Sequence, residues 1–363
     1  MLSCGIVGLP TVGKTTLFNL LTGARVQKSQ FFSGRTDANV GIARVPDSRI
    51  DLLSRLFNPK KTTYAQMEVT DLPGLVRGSS QGQGVGNAFL DGVRQVDALV
   101  QVVRAFQNED VLHVEESIDP VRDMETINFE LLMADLDFVD KRITRIRQGK
   151  KITPEQAKEL PILEKCMAHL EQEQPFSTLE LTQEEQESLQ NYTFLTDKPM
   201  LVVVNLDENQ FAEREYPGRQ ALIDKAAAKG LPVVELCVQI EEEISQLDAE
   251  DRELFFEELG ISEPAINRVM RVAYETLGLI SFFTVGADEV RAWTIKQGAN
   301  AKSAAGEIHS DLERGFIRAE VIKYADLAAL GSEVKVKEAG KAGLEGKEYV
   351  VQDGDIMHIR FNV

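Results

Sequence analysis

The run Gly8-Leu9-Pro10-Thr11-Val12-Gly13-Lys14-Thr15 fits G-x-x-x-x-G-K-T at every defined position. A short apolar stretch, Leu2 to Val7, precedes it, and Leu17, Phe18, Leu20 and Leu21 follow at helical spacing. Strand, glycine loop and helix is the context this motif requires, and a chance glycine turn would not need those flanks. Glycines let successive backbone N–H groups point inward at phosphate oxygens, and a helix beginning near Lys14 adds its positive end. The run therefore predicts an α/β domain with a mostly parallel sheet and a phosphate-binding loop, Gly8 to Thr16. In that loop the Lys14 ammonium reaches the β- and γ-phosphates and the Thr15 hydroxyl binds Mg²⁺.

Moving outward, Tyr64 to Thr70 reads as a strand with Met67 and Val69 on one face, ending at Asp71-Leu72-Pro73-Gly74. Alone, Asp-x-Pro-Gly spells an ordinary turn. After a phosphate loop, both elements belong at the same edge of one parallel sheet. Asp71 then orients Mg²⁺, directly or through water, and the Gly74 N–H senses the γ-phosphate. Between the two motifs, Gln30 to Val40 is polar and turn-rich. Thr36 is its candidate switch threonine, meeting Mg²⁺ only when the γ-phosphate is present; the other reading is a surface threonine in a mobile loop. Gly78 to Gly86 holds four glycines in nine positions, either a conformational sensor or a linker into a helix near Asn87 to Val93. Leu75 stands where many small triphosphatases place a water-orienting Gln. A leucine cannot hydrogen-bond water, so low intrinsic turnover is expected, whether Leu75 faces the nucleotide or packs away from it. The catalytic candidates are thus Lys14, Thr36, Gly74 and Leu75. His113, His169, His309 and His358 show no motif spacing and are read as surface or half-buried.

Base recognition falls to the end of the β-branched run Pro199 to Val204, at Asn205-Leu206-Asp207-Glu208. Guanine-specific proteins of this class carry Asn-Lys-x-Asp here, the Asp accepting from guanine N1–H and N2 together. Glu208 is one methylene longer, and Leu206 removes the Lys stem that covers the base. Losing that charged pair costs about 2 to 5 kcal/mol of discrimination. Asn205 and Glu208 remain the base-facing candidates, with Asp207 one residue out of register. Pro232 to Leu236 reads as a further strand leading into Cys237 to Glu241, a position suited to a loop that packs along the base edge through backbone groups.

With 58 Asp plus Glu against 40 Lys plus Arg, the formal charge is −18, poorly suited to global attraction to nucleic acid. The 363 residues suggest two or three domains. Cys4, Cys166 and Cys237 form no Cys-x-x-Cys pair, which argues against a disulfide scaffold and a zinc site. The first residues do not read as a signal peptide, and no run of eighteen apolar residues predicts a membrane span.

Leu132, Leu136, Val139, Ile143 and Ile146 form one stripe of a long helix, broken at Gln148-Gly149-Lys150-Lys151. Thr153-Pro154-Glu155-Gln156 then combines an N-cap, a first-turn proline and a capping-box Gln, and Leu160, Leu163, Met167 and Leu170 continue a second helix. Thr182 with Glu185 opens a shorter one. Residues 122–198 are expected to project as a helical arm, serving stability or acting as a lever or docking surface. After Pro264 another helix is predicted to about Leu277. Strands follow at Ile280 to Val285, Val290 to Ile295, Ile317 to Ile322, Tyr349 to Val351 and Ile356 to Phe361, with a helix at Ser303 to Leu312. Lys335, Lys337, Lys341 and Lys347 make either a local positive patch or ordinary solvated lysines.

Taken together, the chain resembles the YchF or Obg-like ATPase family of P-loop proteins. The carrying residues are Gly8 to Thr15, Asp71-Leu-Pro-Gly-Leu-Val76, Gly78 to Gly86 and Asn205-Leu-Asp-Glu208. Glu289-Val-Arg-Ala-Trp-Thr294, Ala305-Gly-Glu-Ile-His309, Glu313-Arg-Gly-Phe-Ile-Arg-Ala319 and Asp353-Gly-Asp355 also match. The resemblance spans essentially the whole chain. It implies a nucleotide-binding domain at 1–121 and 199–277, a helical coiled-coil arm at 122–198, and a TGS-like domain of β-grasp type at 278–363. It further implies a preference for ATP over GTP tied to Asn205-x-x-Glu208, a hydrophobic replacement of the catalytic Gln at Leu75, and association with the ribosome, as large subunit or whole particle. The family usually has Asn at the position of Thr11, a residue that in related enzymes helps hold a monovalent cation, so potassium-stimulated turnover does not carry over.

Three functions stay open at this point: a slow Mg²⁺-dependent ATPase acting as a ribosome-linked switch, a GTPase in which Asp207 restores guanine recognition, and a nucleotide-stabilised docking module for RNA or ribosomes. A cytoplasmic monomer is expected in each.

Overall fold

The computed structural model describes residues 2–26, 38–75, 85–108 and 110–362. Its strands, in chain order, are β1 (Ser3–Val7), β2 (Asn39–Arg44), β3 (Lys61–Thr63), β4 (Gln66–Asp71), β5 (Ala98–Arg104), β6 (Met200–Asn205), β7 (Val233–Leu236), β8 (Leu279–Thr284), β9 (Glu289–Lys296), β10 (Phe316–Lys323), β11 (Ala342–Glu345) and β12 (Asp355–Phe361). The chain divides into two compact units, Leu2–Gly41 with Glu68–Val269 and Ile42–Met67 with Met270–Val363.

In the first unit the sheet order is β2-β4-β1-β5-β6-β7. β1 runs parallel to β4 and β5, β5 to β6, and β6 to β7. Every residue of β1, β5 and β6 is buried, as a parallel sheet covered on both faces demands. Because five neighbouring strands share one direction, the segments leaving their carboxyl ends collect at a single edge. That one fact brings Gly8, Leu72, Ala105, Leu206 and Cys237 together from across the chain. Met124, Leu222 and Ala226 cover Val103, Val202 and Val204 on one face of the sheet.

The helices expected between 122 and 198 are present. Helix Pro120–Arg147 spans 28 residues, about 42 Å at 1.5 Å per residue. Helix Pro154–Leu170 opens on the Thr153/Gln156 capping box, and Gln183–Leu189 on that of Thr182 and Glu185. The stripe Leu132, Val139, Ile143 and Ile146 packs on Leu163, Cys166 and Leu170. Arg142 forks onto Glu159 at 2.8 and 2.7 Å across the pair. All three cysteines are buried thiols. Among the described residues, no helix is long and apolar enough to cross a membrane.

The second unit carries a mixed sheet, order β11-β10-β12-β8-β9-β3. β10 is antiparallel to β11 and β12, β8 antiparallel to β9, and β12 parallel to β8. Ala301 and Ala304 of helix Ala301–Ile308 pack on Phe282, Val321 and Met357.

Two readings of this region are corrected, at Tyr349 to Val351 and at Ser303 to Leu312, and two elements are added. Ser48–Phe57 is a helix and Lys61–Thr63 a strand paired in parallel with β9, neither expected from sequence. Tyr349 to Val351 is no strand; only an Asn300–Val350 bridge forms, and Ala342–Glu345 supplies the edge instead. The helix expected over 303–312 is two, broken at His309, whose ring accepts the Asp311 N–H as a new N-cap. Lys337, Lys341 and Lys347 pair with Glu320, Asp326 and Glu348, which cancels most of the positive patch.

Candidate functional site

The loop leaving β1 turns through glycines at positions only glycine fills well. Gly8 has φ +152°, and a Cβ there would lie 2.5 Å from the Val102 carbonyl of β5. Gly13 has φ +103°, and a Cβ there would lie 2.5 Å from Asn205 Nδ2. Between them Thr11 sits at φ 61° and donates its hydroxyl to the Leu112 carbonyl at 3.1 Å. A left-handed β-branched residue costs about 1–2 kcal/mol, so the turn is held by its surroundings. Leu9 and Val12 bury their side chains and offer only backbone to the loop. Helix Lys14–Thr22 begins with no side-chain cap and no acid in its first turn, which leaves its first N–H groups and positive end for an anion.

Lys14 is 8% exposed. Its Nζ donates to the carbonyls of Leu9 at 2.7 Å and Gly8 at 3.2 Å. Burial pushes its pKa down to about 8, with the Asp71 charge opposing that fall. Asp71, also buried, accepts from the Thr15 hydroxyl at 2.8 Å and from Asn39 Nδ2 at 3.4 Å through Oδ2. Its Oδ1 is buried with no hydrogen-bond partner, a state that costs about 1–3 kcal/mol. The two metal candidates from separate motifs are therefore in contact, with one anionic oxygen unsatisfied. Among the described residues no cluster of three or more His, Cys, Asp or Glu surrounds a metal position. One carboxylate and one hydroxyl suit a cation that keeps waters and substrate phosphates as its other ligands.

Gly74 crosses close to Pro10; a Cβ there would lie 3.1–3.2 Å from Pro10 atoms. The next N–H, of Leu75, donates to the Gly8 carbonyl at 3.2 Å, while the Leu75 side chain is 0% exposed. Of its two sequence readings, the buried one describes the structure. Thr36 and residues 76–84 lie outside the described residues.

Asn205 is buried at the end of β6, donating to the Val12 carbonyl at 3.0 Å and accepting from the Val238 N–H at 3.1 Å. It ties the phosphate loop to the segment after β7. Asp207 is the N-cap of helix Glu208–Glu213, its carboxylate accepting from the Gln210 N–H at 2.9 Å. Glu208 is exposed and accepts from Gln239 Nε2 at 2.8 Å. Leu206 is buried.

These pieces border a cavity of about 420 Å³, within the range of small-ligand sites. Thr11 and Gly13 to Thr16 form one side. The other side holds Val238 and Gln239, within the Cys237 to Glu241 segment expected along the base edge, and Phe106, Asn108 and Val111 after β5, which sequence reasoning missed. The available signal was the apolar run Ala98 to Val103 with a polar segment behind it. Histidine reading is corrected at one position: His113 is buried, its Nε2 2.8 Å from Asp123 Oδ2.

Comparison with known proteins follows the same outline. A family model described as a 50S ribosome-binding GTPase matches residues 3–134, and the model YchF-GTPase_C, described as a protein of unknown function, matches residues 279–362. The chain is 47% identical to the ribosome-binding ATPase YchF of Bacillus subtilis over 100% of both chains. It is 46% identical to that of Haemophilus influenzae over 99% of both. The solved Schizosaccharomyces pombe YchF GTPase superposes with a TM-score of 0.85 at 35% identity, over 99% of this chain and 97% of that one.

Proposed function

We propose, from the premise that this chain belongs to the YchF family, that it is a slow Mg²⁺-dependent ATPase and a nucleotide-controlled switch associated with the ribosome. The observation that carries this reading is the buried Lys14 ammonium, held by two carbonyls of its own loop beside the Thr15–Asp71 pair. Such an ammonium is poised to trade weak neutral partners for phosphate oxygens, and the uncapped helix start supports the same anion.

Adenine is favoured by what the base side lacks. A guanine reader needs a free carboxylate, but Asp207 is engaged as a helix cap and Glu208 points to Gln239. The GTPase reading through Asp207 would require breaking that cap, at about 1 kcal/mol, before any guanine contact. The Bacillus and Haemophilus relatives are named ribosome-binding ATPases, which supports both the nucleotide and the partner. Low turnover follows from Leu75, which offers water no hydrogen bond. We assign nucleotide binding to 1–121 with 199–277, the arm to 122–198 and a TGS-like domain to 278–363, the whole acting as a cytoplasmic monomer. Gly8 to Thr16 cradle the phosphates, Gly74 senses the γ-phosphate, and Asn205 positions the loop.

Thr15 and Asp71 would hold Mg²⁺, joined by Thr36, and the unsatisfied Asp71 Oδ1 fits that role. When bound, the cation offsets charge on the β- and γ-phosphates. Chelation with EDTA is expected to reduce hydrolysis to background; undiminished turnover in EDTA removes the metal from the reading.

Competition decides the nucleotide. ATP is expected to displace a fluorescent ATP analogue at a concentration at least tenfold below GTP, and a tenfold preference for GTP would reverse the base assignment. In sedimentation, the protein is expected to travel with ribosomes in amounts that depend on the nucleotide supplied. Absence from the ribosomal fraction in every nucleotide state would remove the partner.

A further inference from the structure

Arg104 closes β5 with 1% exposure, heading the fully buried side chains of the described residues by volume. Each of its three nitrogens donates to a carbonyl of one short loop. Nε donates to Phe106 at 3.0 Å, one terminal nitrogen to Val111 at 2.9 Å, and the other to Asn108 at 3.3 Å. The guanidinium carbon also lies 4.2 Å from the Phe106 ring centroid. Burying a cation against neutral carbonyls is unfavourable before those bonds are counted. Burial lowers the pKa of the group, with Asp123 opposing.

The loop has little shape of its own. Its backbone bonds are Val111 N–H to the Asn108 carbonyl at 3.4 Å, and Ala105 and Phe106 N–H to the Asn205 carbonyl at 2.9 and 3.2 Å. Beyond the point where the chain leaves the sheet, Arg104 is the common partner of its carbonyls. Phe106, Gln107, Asn108 and Val111 are the described residues through which this loop faces the nucleotide cavity. The loop meets the phosphate side at Leu112, whose carbonyl accepts from the Thr11 hydroxyl.

We propose that Arg104 is the positioning residue for the base half of the nucleotide site: by fixing three loop carbonyls it sets the wall against which the purine lies. The proposal rests on the reading that the cavity takes ATP. Arg104 is not among the residues lining the cavity, and its hydrogen bonds go to Phe106, Asn108 and Val111 rather than to the phosphate loop. Its removal therefore separates base binding from phosphate binding, which general destabilisation does not.

The test compares wild type with Arg104→Met and Arg104→Lys in steady-state ATP hydrolysis, using inorganic tripolyphosphate as a competing inhibitor that has phosphates but no base. For Arg104→Met the KM for ATP is expected to rise at least tenfold, with kcat within threefold and the tripolyphosphate inhibition constant within twofold of wild type. Arg104→Lys keeps the charge but loses the fork, and is expected to fall between the two. Should Arg104→Met fail to fold, the same ratio read on Arg104→Lys decides: a KM rise of threefold or more with inhibition unchanged is expected. Parallel weakening of ATP and tripolyphosphate, or no change in either, overturns the proposal. If wild type hydrolyses no ATP and tripolyphosphate does not compete with any bound nucleotide, the functional reading fails instead.

Discussion

Lys14→Ala is expected to lower kcat/KM for ATP about 10²- to 10³-fold, the scale for removing one preorganised charge stabiliser from a water-poor site. Among the described residues lining the cavity, which also include Asp207 and Glu242, Lys14 is the one cation. No other lysine or arginine of the described lining replaces it. Stability is expected to move the other way. The ammonium is buried against two neutral carbonyls, so an apolar side chain there relieves a desolvation cost. Lys14→Met is therefore expected to lose activity while the nucleotide-free protein melts at the same temperature as wild type or higher. A melting point lowered along with activity would mean that Lys14 builds the loop rather than serving the phosphates. The same group predicts a pH dependence. Its folded pKa, about 8, lies below that of an unfolded lysine, near 10.4. Between those values the unfolded chain binds the extra proton, so this group's contribution to nucleotide-free stability rises with pH through that window. Phosphate binding requires the ammonium, so ATP affinity is expected to weaken about tenfold from pH 7 to pH 9. Calorimetric affinities that stay flat over that range would contradict it.

Gly13→Ala is expected to destabilise the fold by about 3–4 kcal/mol and weaken ATP at least 100-fold. At φ +103° the new Cβ meets Asn205 Nδ2 at 2.5 Å. Asn205 must withdraw, and with it go its bonds to the Val12 carbonyl and the Val238 N–H. Each is worth about 1 kcal/mol, and the left-handed backbone adds 1–2 kcal/mol. Loss of the clasp also frees the phosphate loop from the end of β6, so the cradle is no longer held in shape. Gly23→Ala is the control. It too has positive φ, +69°, but nothing lies within 4 Å of the added Cβ. It is expected to cost about 1 kcal/mol with ATP affinity unchanged. Denaturant melts and calorimetry on both variants check the contrast; equal losses in the two would show that the backbone angle matters and the Asn205 contact does not.

Much of the site was legible because its chemistry is local. A phosphate loop is read from eight consecutive residues, since the glycines, the lysine and the threonine all act on the same phosphates. The capping boxes at Thr153 and Thr182 were equally legible, because each closes within four residues. The arm was readable from its stripe, which reports a buried face at helical period. Asp207 and Glu208 show the opposite case. As residue types either carboxylate suits a base edge, and only the helix start that recruits Asp207 as its cap separates them. Leu75 likewise had two readings until its burial chose one. The cavity side after β5 was missed because Arg104 gives no motif: its buried fork onto Phe106, Asn108 and Val111 exists only once β5 is enclosed by its neighbours.

By itself, then, the sequence determined the phosphate-binding chemistry, the parallel-sheet class and the helical arm, each a consequence of forces acting over a few residues. The tertiary structure decided which carboxylates are free, that Thr15 touches Asp71 56 residues away, and that β3 pairs with β9 some 228 positions later. Those outcomes depend on which groups burial leaves without water, and on register between strands distant in the chain. Neither is written in any short stretch of residues.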